Sequence, residues 1–213
     1  MEISAGSITS GAQFAVSGDA ELLASGTGQV NANELFFLET STHPIGQFSG
    51  NSIVTLTGSS GLVLGYDYNV SFADSAQLNG TQLSFGFSYG TITVSDSAVL
   101  TFSGGMVSPL SNDTLRLEGG GQVSIAGNAD FQPGFTIDFV SGATGSFSAG
   151  TLSGAATDYA GLIAAGIFTV DGAAATSNQF KIDGTSIALA IPEPSVISLA
   201  CLFITIYAFR RKR

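Results

Sequence analysis

A nine-residue frame, apolar-x-apolar-x-x-small-Ala-x-apolar, recurs along this chain and restricts its fold more than any other feature. Four copies are clear: Phe14 to Leu22, Val70 to Leu78, Ile92 to Leu100 and Val123 to Phe131. A weaker copy runs from Val54 to Leu62, and another, with glycine in the first apolar place, from Gly6 through Ile8 and Ala12 to Phe14. Alternation at period two puts the first two apolar residues on one face of a strand. The Gly, Asp, Ser or Asn pair then supplies a bend, and Ala-x-apolar resumes an inward face beyond it. Each copy is therefore strand, tight bend, strand. Starts at residues 14, 54, 70, 92 and 123 give intervals of 40, 16, 22 and 31, which read as one or two irregular coils of about 20 residues each. Units this small cannot bury a face alone, so they stack on their neighbours.

The frame predicts an all-β chain: an irregular right-handed parallel β-solenoid over residues 1–150, with the handedness taken by analogy with known β-helices. A short-strand cap and linker follow over 151–190, and a tail carrying a single C-terminal transmembrane helix over 191–213. An antiparallel β-sandwich is the alternative, since short strands with frequent turn signals also read that way, and Asn79-Gly80 between apolar runs is a hairpin signal. Helix is disfavoured by the 28 glycines and the many β-branched residues. Only Asp158 to Gly166 has helix-compatible spacing. Ile167–Val170, Gln179–Ile182 and Thr185–Leu189 read as three short strands punctuated by Asp171-Gly172 and Asp183-Gly184 turns.

Charge is scarce and segregated. Of the six Lys and Arg, four are Arg210, Arg211, Lys212 and Arg213, which leaves Arg116 and Lys181 against all 16 Asp and Glu. So anionic a body repels phosphate backbones, which argues against a nucleic-acid partner. The single cysteine, Cys201, excludes an intramolecular disulfide. Residues 1–23 contain no basic residue and no long apolar run, so they hold no secretory signal. Because the frame is already running at residue 6, the expectation is that the chain starts inside an array, downstream of its true beginning.

Catalytic signals are few. The one histidine, His43, sits in a turn-like Ser-Thr-His-Pro stretch. No G-x-S-x-G elbow surrounds a serine, no Cys/His cluster suits zinc, and no glycine loop is followed by lysine. No cofactor is expected. Asp19, Asp74 and Asp96 occupy the bend of the frame and are candidates for an acidic stripe along the stack. The simplest reading makes them turn-forming and solubilising; calcium binding and glycoside hydrolysis are the alternatives. Tyr66, Tyr68 and Tyr89 are candidates for a carbohydrate-stacking patch. Asn-x-Ser/Thr triplets begin at Asn69, Asn79 and Asn112.

The tail has three zones: Pro192-Glu193-Pro194, an uncharged apolar run from Ser195 to Phe209, and the four terminal cations. The prolines remove backbone donors and favour extended geometry, making an elbow that no helix continues through. The run of 15 residues spans roughly 22 Å as a helix, enough to cross a locally thinned bilayer with snorkelling arginines. Basic residues beside a membrane segment stay on the cytoplasmic side, which places the body outside the inner membrane.

This order resembles the PEP-CTERM sorting signal of Gram-negative bacteria, a likeness confined to about a tenth of the chain. The resemblance implies that Pro192, Glu193 and Pro194 are the recognition motif, Ser195 to Phe209 the membrane segment and Arg210 to Arg213 the cytoplasmic stop. It implies an exosortase-type membrane protease/transpeptidase as partner, which removes the tail and leaves the body exported or re-anchored. The expected function is a non-enzymatic cell-envelope or extracellular-matrix protein, with exopolysaccharide as a candidate partner. The alternatives are a polysaccharide-active β-helix enzyme or a glycan-binding adhesin carrying the same tail.

Overall fold

A computed structural model describes residues 1–38, 44–65, 67–86, 89–108 and 112–190. His43, Tyr66, Cys201 and the whole sorting tail lie outside the described residues. Within them the chain is an all-β solenoid whose strands form three faces and whose coils stack in parallel register.

Face one is built from β1 (Glu2–Ile3), β3 (Glu21–Ala24), β5 (Ile45–Phe48), β8 (Asn69–Phe72), β11 (Thr91–Val94), β14 (Thr114–Leu117), β16 (Thr136–Phe139) and β18 (Phe168–Val170), neighbours in that order. Faces two and three form one folded sheet, because four strands run around the corner between them: β2 (Ser7–Ser17), β4 (Gln29–Leu38), β15 (Gln122–Phe131) and β17 (Ser146–Gly154). In the other coils that corner separates β6 (Ile53–Leu56) from β7 (Leu62–Leu64), β9 (Gln77–Gly80) from β10 (Leu83–Phe85), and β12 (Val99–Phe102) from β13 (Met106–Ser108). The register partners on face one are Glu2 with Leu23, Glu21 with Ile45, Ile45 with Asn69, Asn69 with Thr91, Thr91 with Thr114 and Thr114 with Thr136. A coil is thus 21 to 24 residues, slightly longer than the sequence suggests.

The frame marks corners rather than coils. Copies at 70–78 and 92–100 straddle the first corner, between faces one and two. Those at 54–62 and 123–131, and the glycine-led copy from Gly6, straddle the second. The copy at 14–22 straddles the third. All three corners need the same thing: two inward residues, a bend, then a third inward residue around the corner. Only the interval of 22 between residues 70 and 92 therefore measures one coil; the uneven others compare different corners.

Inward positions are apolar and buried along every face, from Val30, Leu35 and Phe37 to Ile137, Phe139 and Phe147. Complementary sizes on neighbouring coils make the stack dense. Phe48 stacks on Phe72 with centroids 4.6 Å apart. A Cβ on Gly80 would lie 3.1 Å from the Phe102 ring. Gly80 is therefore not the hairpin the sequence suggests. Asn79-Gly80 lies inside β9, parallel to β6 and β12, and the missing side chain gives Phe102 its space.

The C-terminal end is closed differently. Helix α1 (Tyr159–Ala164) begins at Asp158, whose carboxylate accepts from the Gly161 N–H at 2.6 Å, the expected N-cap. It packs Tyr159, Leu162 and Ile163 against the end of the stack. Asp171 (φ 52°) and Gly172 (φ 73°) turn β18 back into β19 (Ala173–Ala174), and Gly184 (φ 58°) turns β20 (Phe180–Asp183) into β21 (Ser186–Leu189). β21 pairs antiparallel with β17. Phe131, Phe139, Phe147, Phe168 and Phe180 meet beneath this cap at ring separations of 5.5 to 6.5 Å. No helix among the described residues is long and apolar enough to cross a membrane.

Candidate functional site

The acidic stripe forms only in part. At the first corner, residues 26, 50, 74, 96 and 119 all take left-handed backbone, with φ between 52° and 66°. Three are glycine, which enters that region without steric cost. The other two are Asp74 and Asp96, of a residue type that tolerates it. Each carboxylate then caps the preceding coil: Asp74 Oδ2 accepts from the Gly50 N–H at 2.9 Å, and Asp96 Oδ2 from the Asp74 N–H at 3.2 Å. Asp19 sits at the third corner and does not join them. The two stacked aspartates thus serve the turns, one oxygen of each accepting from a backbone N–H of the coil before it.

Two positions beyond each of these residues, a buried small residue closes the turn. Ala76 N–H donates to the Ala73 carbonyl (3.1 Å), Ala98 to Ser95 (3.0 Å), Gly121 to Glu118 (3.0 Å) and Ser52 to Ser49 (3.3 Å). Neighbouring coils pass so close that a Cβ on Gly121 would lie 2.1 Å from the Val94 carbonyl oxygen. Ser52 is fully buried here, and its hydroxyl has no hydrogen-bond partner among the described residues.

Cation and carboxylates meet on face one, in adjacent coils. The Arg116 guanidinium lies 2.7 Å from Glu118 and 3.0 Å from Asp138. Asp138 is buried and also accepts from the Thr169 hydroxyl and the Gly172 N–H, both at 2.7 Å. Glu118, with Asp138 behind it, holds the guanidinium even more firmly protonated than usual. Beside this group the Asp171 carboxyl sits below the ordinary carboxylate range, chiefly because the Ser141 hydroxyl and N–H donate to it. The arrangement ties the last full coil to the hairpin cap, with both oxygens of the Asp138 carboxylate engaged. Sequence reading missed the pairing because Arg116 lies outside the frame's bend; the one available signal was the 22-residue spacing of Arg116 and Asp138, equal to that of Asp74 and Asp96.

Of the three tyrosines, Tyr66 lies outside the described residues, while Tyr68 and Tyr89 line one small pocket with Asp67, Asn69 and Thr91. Tyr68 is buried and donates its hydroxyl to the buried Asp113 at 3.0 Å, an oxygen that also accepts from the Gly90 N–H. Tyr89 is 71% exposed. Asn69, Asn79 and Asn112 are all exposed. Among the described residues no group of three or more His, Cys, Asp or Glu is placed to hold a metal ion.

A groove of about 510 Å³ opens at the capped end, between the second-to-third-face bend of β17, the start of α1 and the β20–β21 turn. Leu152, Tyr159, Ala160 and Ile182 line it with mostly apolar surface. The Tyr159 hydroxyl donates to the Thr185 carbonyl at 2.6 Å, and burial pushes its pKa up to about 12. The groove joins elements far apart in sequence, so the linear chain gave no sign of it.

Pro192, Glu193, Pro194 and Arg210 to Arg213, the sequence-predicted sorting residues, lie outside the described residues. Fold and side-chain geometry thus define a capped, three-faced β-solenoid whose polar clusters hold coils together. No protein family, curated protein or solved structure matches the chain.

Proposed function

We propose that this chain is an exported, non-enzymatic cell-envelope or extracellular-matrix protein, displayed as a right-handed β-solenoid. Its tail serves as a disposable sorting signal for an exosortase-type partner. The single observation that carries this reading is the order of Pro192-Glu193-Pro194, the uncharged run Ser195 to Phe209 and the terminal cluster Arg210, Arg211, Lys212, Arg213. In it the run is the membrane helix, the cations hold its end in the cytoplasm and the body lies on the far side of the inner membrane. Support for a non-enzymatic body comes from the carboxylates: Asp74 and Asp96 each have one oxygen, and Asp138 both, engaged by neighbouring coils.

One observation favours the enzyme alternative, the juxtaposition of Arg116, Glu118 and Asp138 on adjacent coils of one face. Incubating the purified protein with acidic and neutral polysaccharides decides between them: no new ends are expected, and cleavage abolished by Glu118→Gln would replace the main reading. For the tail, intact-mass measurement in a Gram-negative host with and without exosortase is the test. Loss of the apolar run is expected only with the enzyme, and Glu193→Ala or removal of residues 210–213 should block it. A mature protein that keeps the full tail in the exosortase-bearing host refutes the proposal.

A further inference from the structure

Face two differs from its neighbours in charge. Each of its seven parallel strands, from β2 to β17, turns two side chains outward, and the register aligns them in two rows along the stack. One row sets Thr9, Asn31, Thr55, Asn79 and Thr101 side by side. The other sets Gln29, Ile53, Gln77, Val99 and Gln122, and serines complete both. None of these outward residues is charged or aromatic, in a chain with 16 Asp and Glu. Face one, by contrast, carries Glu21, Arg116 and Asp138, and face three Asp130.

The two rows also alternate. Coils that present amides, Gln29 with Asn31 and Gln77 with Asn79, take turns with coils that present a β-branched or hydroxyl pair, Ile53 with Thr55 and Val99 with Thr101. The chemistry of the face therefore repeats every two coils. At a coil spacing of about 4.8 Å that repeat is roughly 9.6 Å, and the face is about 29 Å long. Among the described residues, no side-chain hydrogen bond engages these outward amides and hydroxyls, so their donors and acceptors are open to a ligand.

We propose that face two binds an uncharged glycan, extended and (1→4)-β-linked, that lies along the solenoid axis. Three features select this ligand. Asp74 and Asp96 stand along the first-corner margin of the face and repel an anionic polymer, while the face itself adds no charge. Its open amides and hydroxyls match sugar hydroxyls, which both donate and accept, whereas Ile53 and Val99 are too few to anchor a protein partner. An extended (1→4)-β-linked chain is a ribbon whose successive sugars face alternate ways, so its chemistry repeats every two units as the face does every two coils. Its advance per sugar is close to the coil spacing. With no ring on the face to stack against a sugar, each contact is weak, and retention comes from repetition along the polymer. The inference goes beyond the sorting reading and does not depend on it: the tail is tested by mass, this face by binding.

The test is native affinity electrophoresis of the full chain in a polyoxyethylene detergent, which carries no sugar to compete, with a soluble polysaccharide cast into the gel. Wild type is expected to be retarded by hydroxyethyl cellulose and to run freely through dextran, a flexible α-linked glucan, and through alginate, an anionic polymer. Gln29, Gln77 and Gln122 are exposed, so Q29A/Q77A/Q122A leaves the core intact and should raise the apparent dissociation constant about tenfold or more. Q47A/S71A/T93A trims neighbouring coils of face one and should leave it unchanged. A wild type that hydroxyethyl cellulose does not retard overturns the proposal, as does equal retardation by dextran or alginate. Loss of retention in both triple variants, or in neither, overturns it too. Should Q29A/Q77A/Q122A not fold, the single isosteric variant Q77E decides: several-fold weaker retention is expected, and retention equal to wild type overturns the proposal.

Discussion

Two buried serines should respond to the same substitution with opposite signs. Ser52 and Ser108 are both fully buried. Ser108 Oγ donates to the Asp130 carbonyl at 3.0 Å and accepts from the Gln132 N–H at 3.3 Å. Ser52 Oγ has no partner and occupies the corner place that the next two coils fill with Ala76 and Ala98. An unpaired buried hydroxyl costs about 1–3 kcal/mol. Removing it forfeits contacts of one oxygen, a fraction of the roughly 1 kcal/mol typical of a lost methyl-sized group. Ser52→Ala should therefore stabilise the protein by about 1 kcal/mol, which for a body of this size raises Tm by about 2–4 °C. Ser108→Ala removes a donor to the Asp130 carbonyl and the acceptor of the Gln132 N–H, and should destabilise by about 1–2 kcal/mol. Urea unfolding of both variants beside wild type, followed by far-UV circular dichroism, reads the difference as a shift in midpoint in opposite directions. If Ser52→Ala lowers the midpoint as far as Ser108→Ala does, the first-corner account is wrong, and the Ser52 hydroxyl makes a stabilising interaction at that position.

Other outcomes follow from the same geometry. Gly121→Ala drives a Cβ into the Val94 carbonyl and should cost about 3 kcal/mol or more, whereas Gly142→Ala, with open space around it and φ 84°, should cost only the roughly 1–2 kcal/mol of left-handed strain; thermal melts rank the pair. Stability should also fall in strong alkali. An unfolded tyrosine releases its proton near pH 10, about two units before Tyr159 does in the fold, so the unfolded state binds fewer protons and gains on the folded one as pH rises through that window. Tyr159→Phe should flatten the loss of urea midpoint between pH 10 and 12. At the acid end the depressed Asp171 carboxyl contributes stability that is present above about pH 4 and lost as pH falls through its folded value, and Asp171→Asn should shrink that decline.

The inward alternation was legible because it depends on neighbours two residues apart, a distance that linear sequence displays directly. Strand identity, the helix after Asp158 and the turns at Asp171-Gly172 and Asp183-Gly184 all follow from such local chemistry. What sequence could not supply was phase. Because one frame serves three corners, Asp19 looked equivalent to Asp74 and Asp96 although it lies at a different edge of the cross-section. Asn79-Gly80 misled for a related reason: glycine there answers to Phe102, a coil away, while local turn propensity knows nothing of that ring. Arg116 and Asp138 were hidden because their meeting depends on the length of everything between them. The residues from Pro192 onward, to which the proposal gives a sorting role, formed a pattern of their own in the sequence, independent of any fold.

The third corner keeps no fixed length. Its link is three residues at 18–20 and thirteen at 155–167, yet face one resumes register at once, with Ile137 beside Phe168 and Phe139 beside Val170. The first corner, by contrast, repeats a four-residue bend from β3 through β15. One edge of the prism is thus a rigid spine and another a docking rail for extra peptide. A foreign epitope or enzyme spliced into the link at 132–135 would hang beside the column without disturbing the rungs above and below, turning the scaffold into a display post.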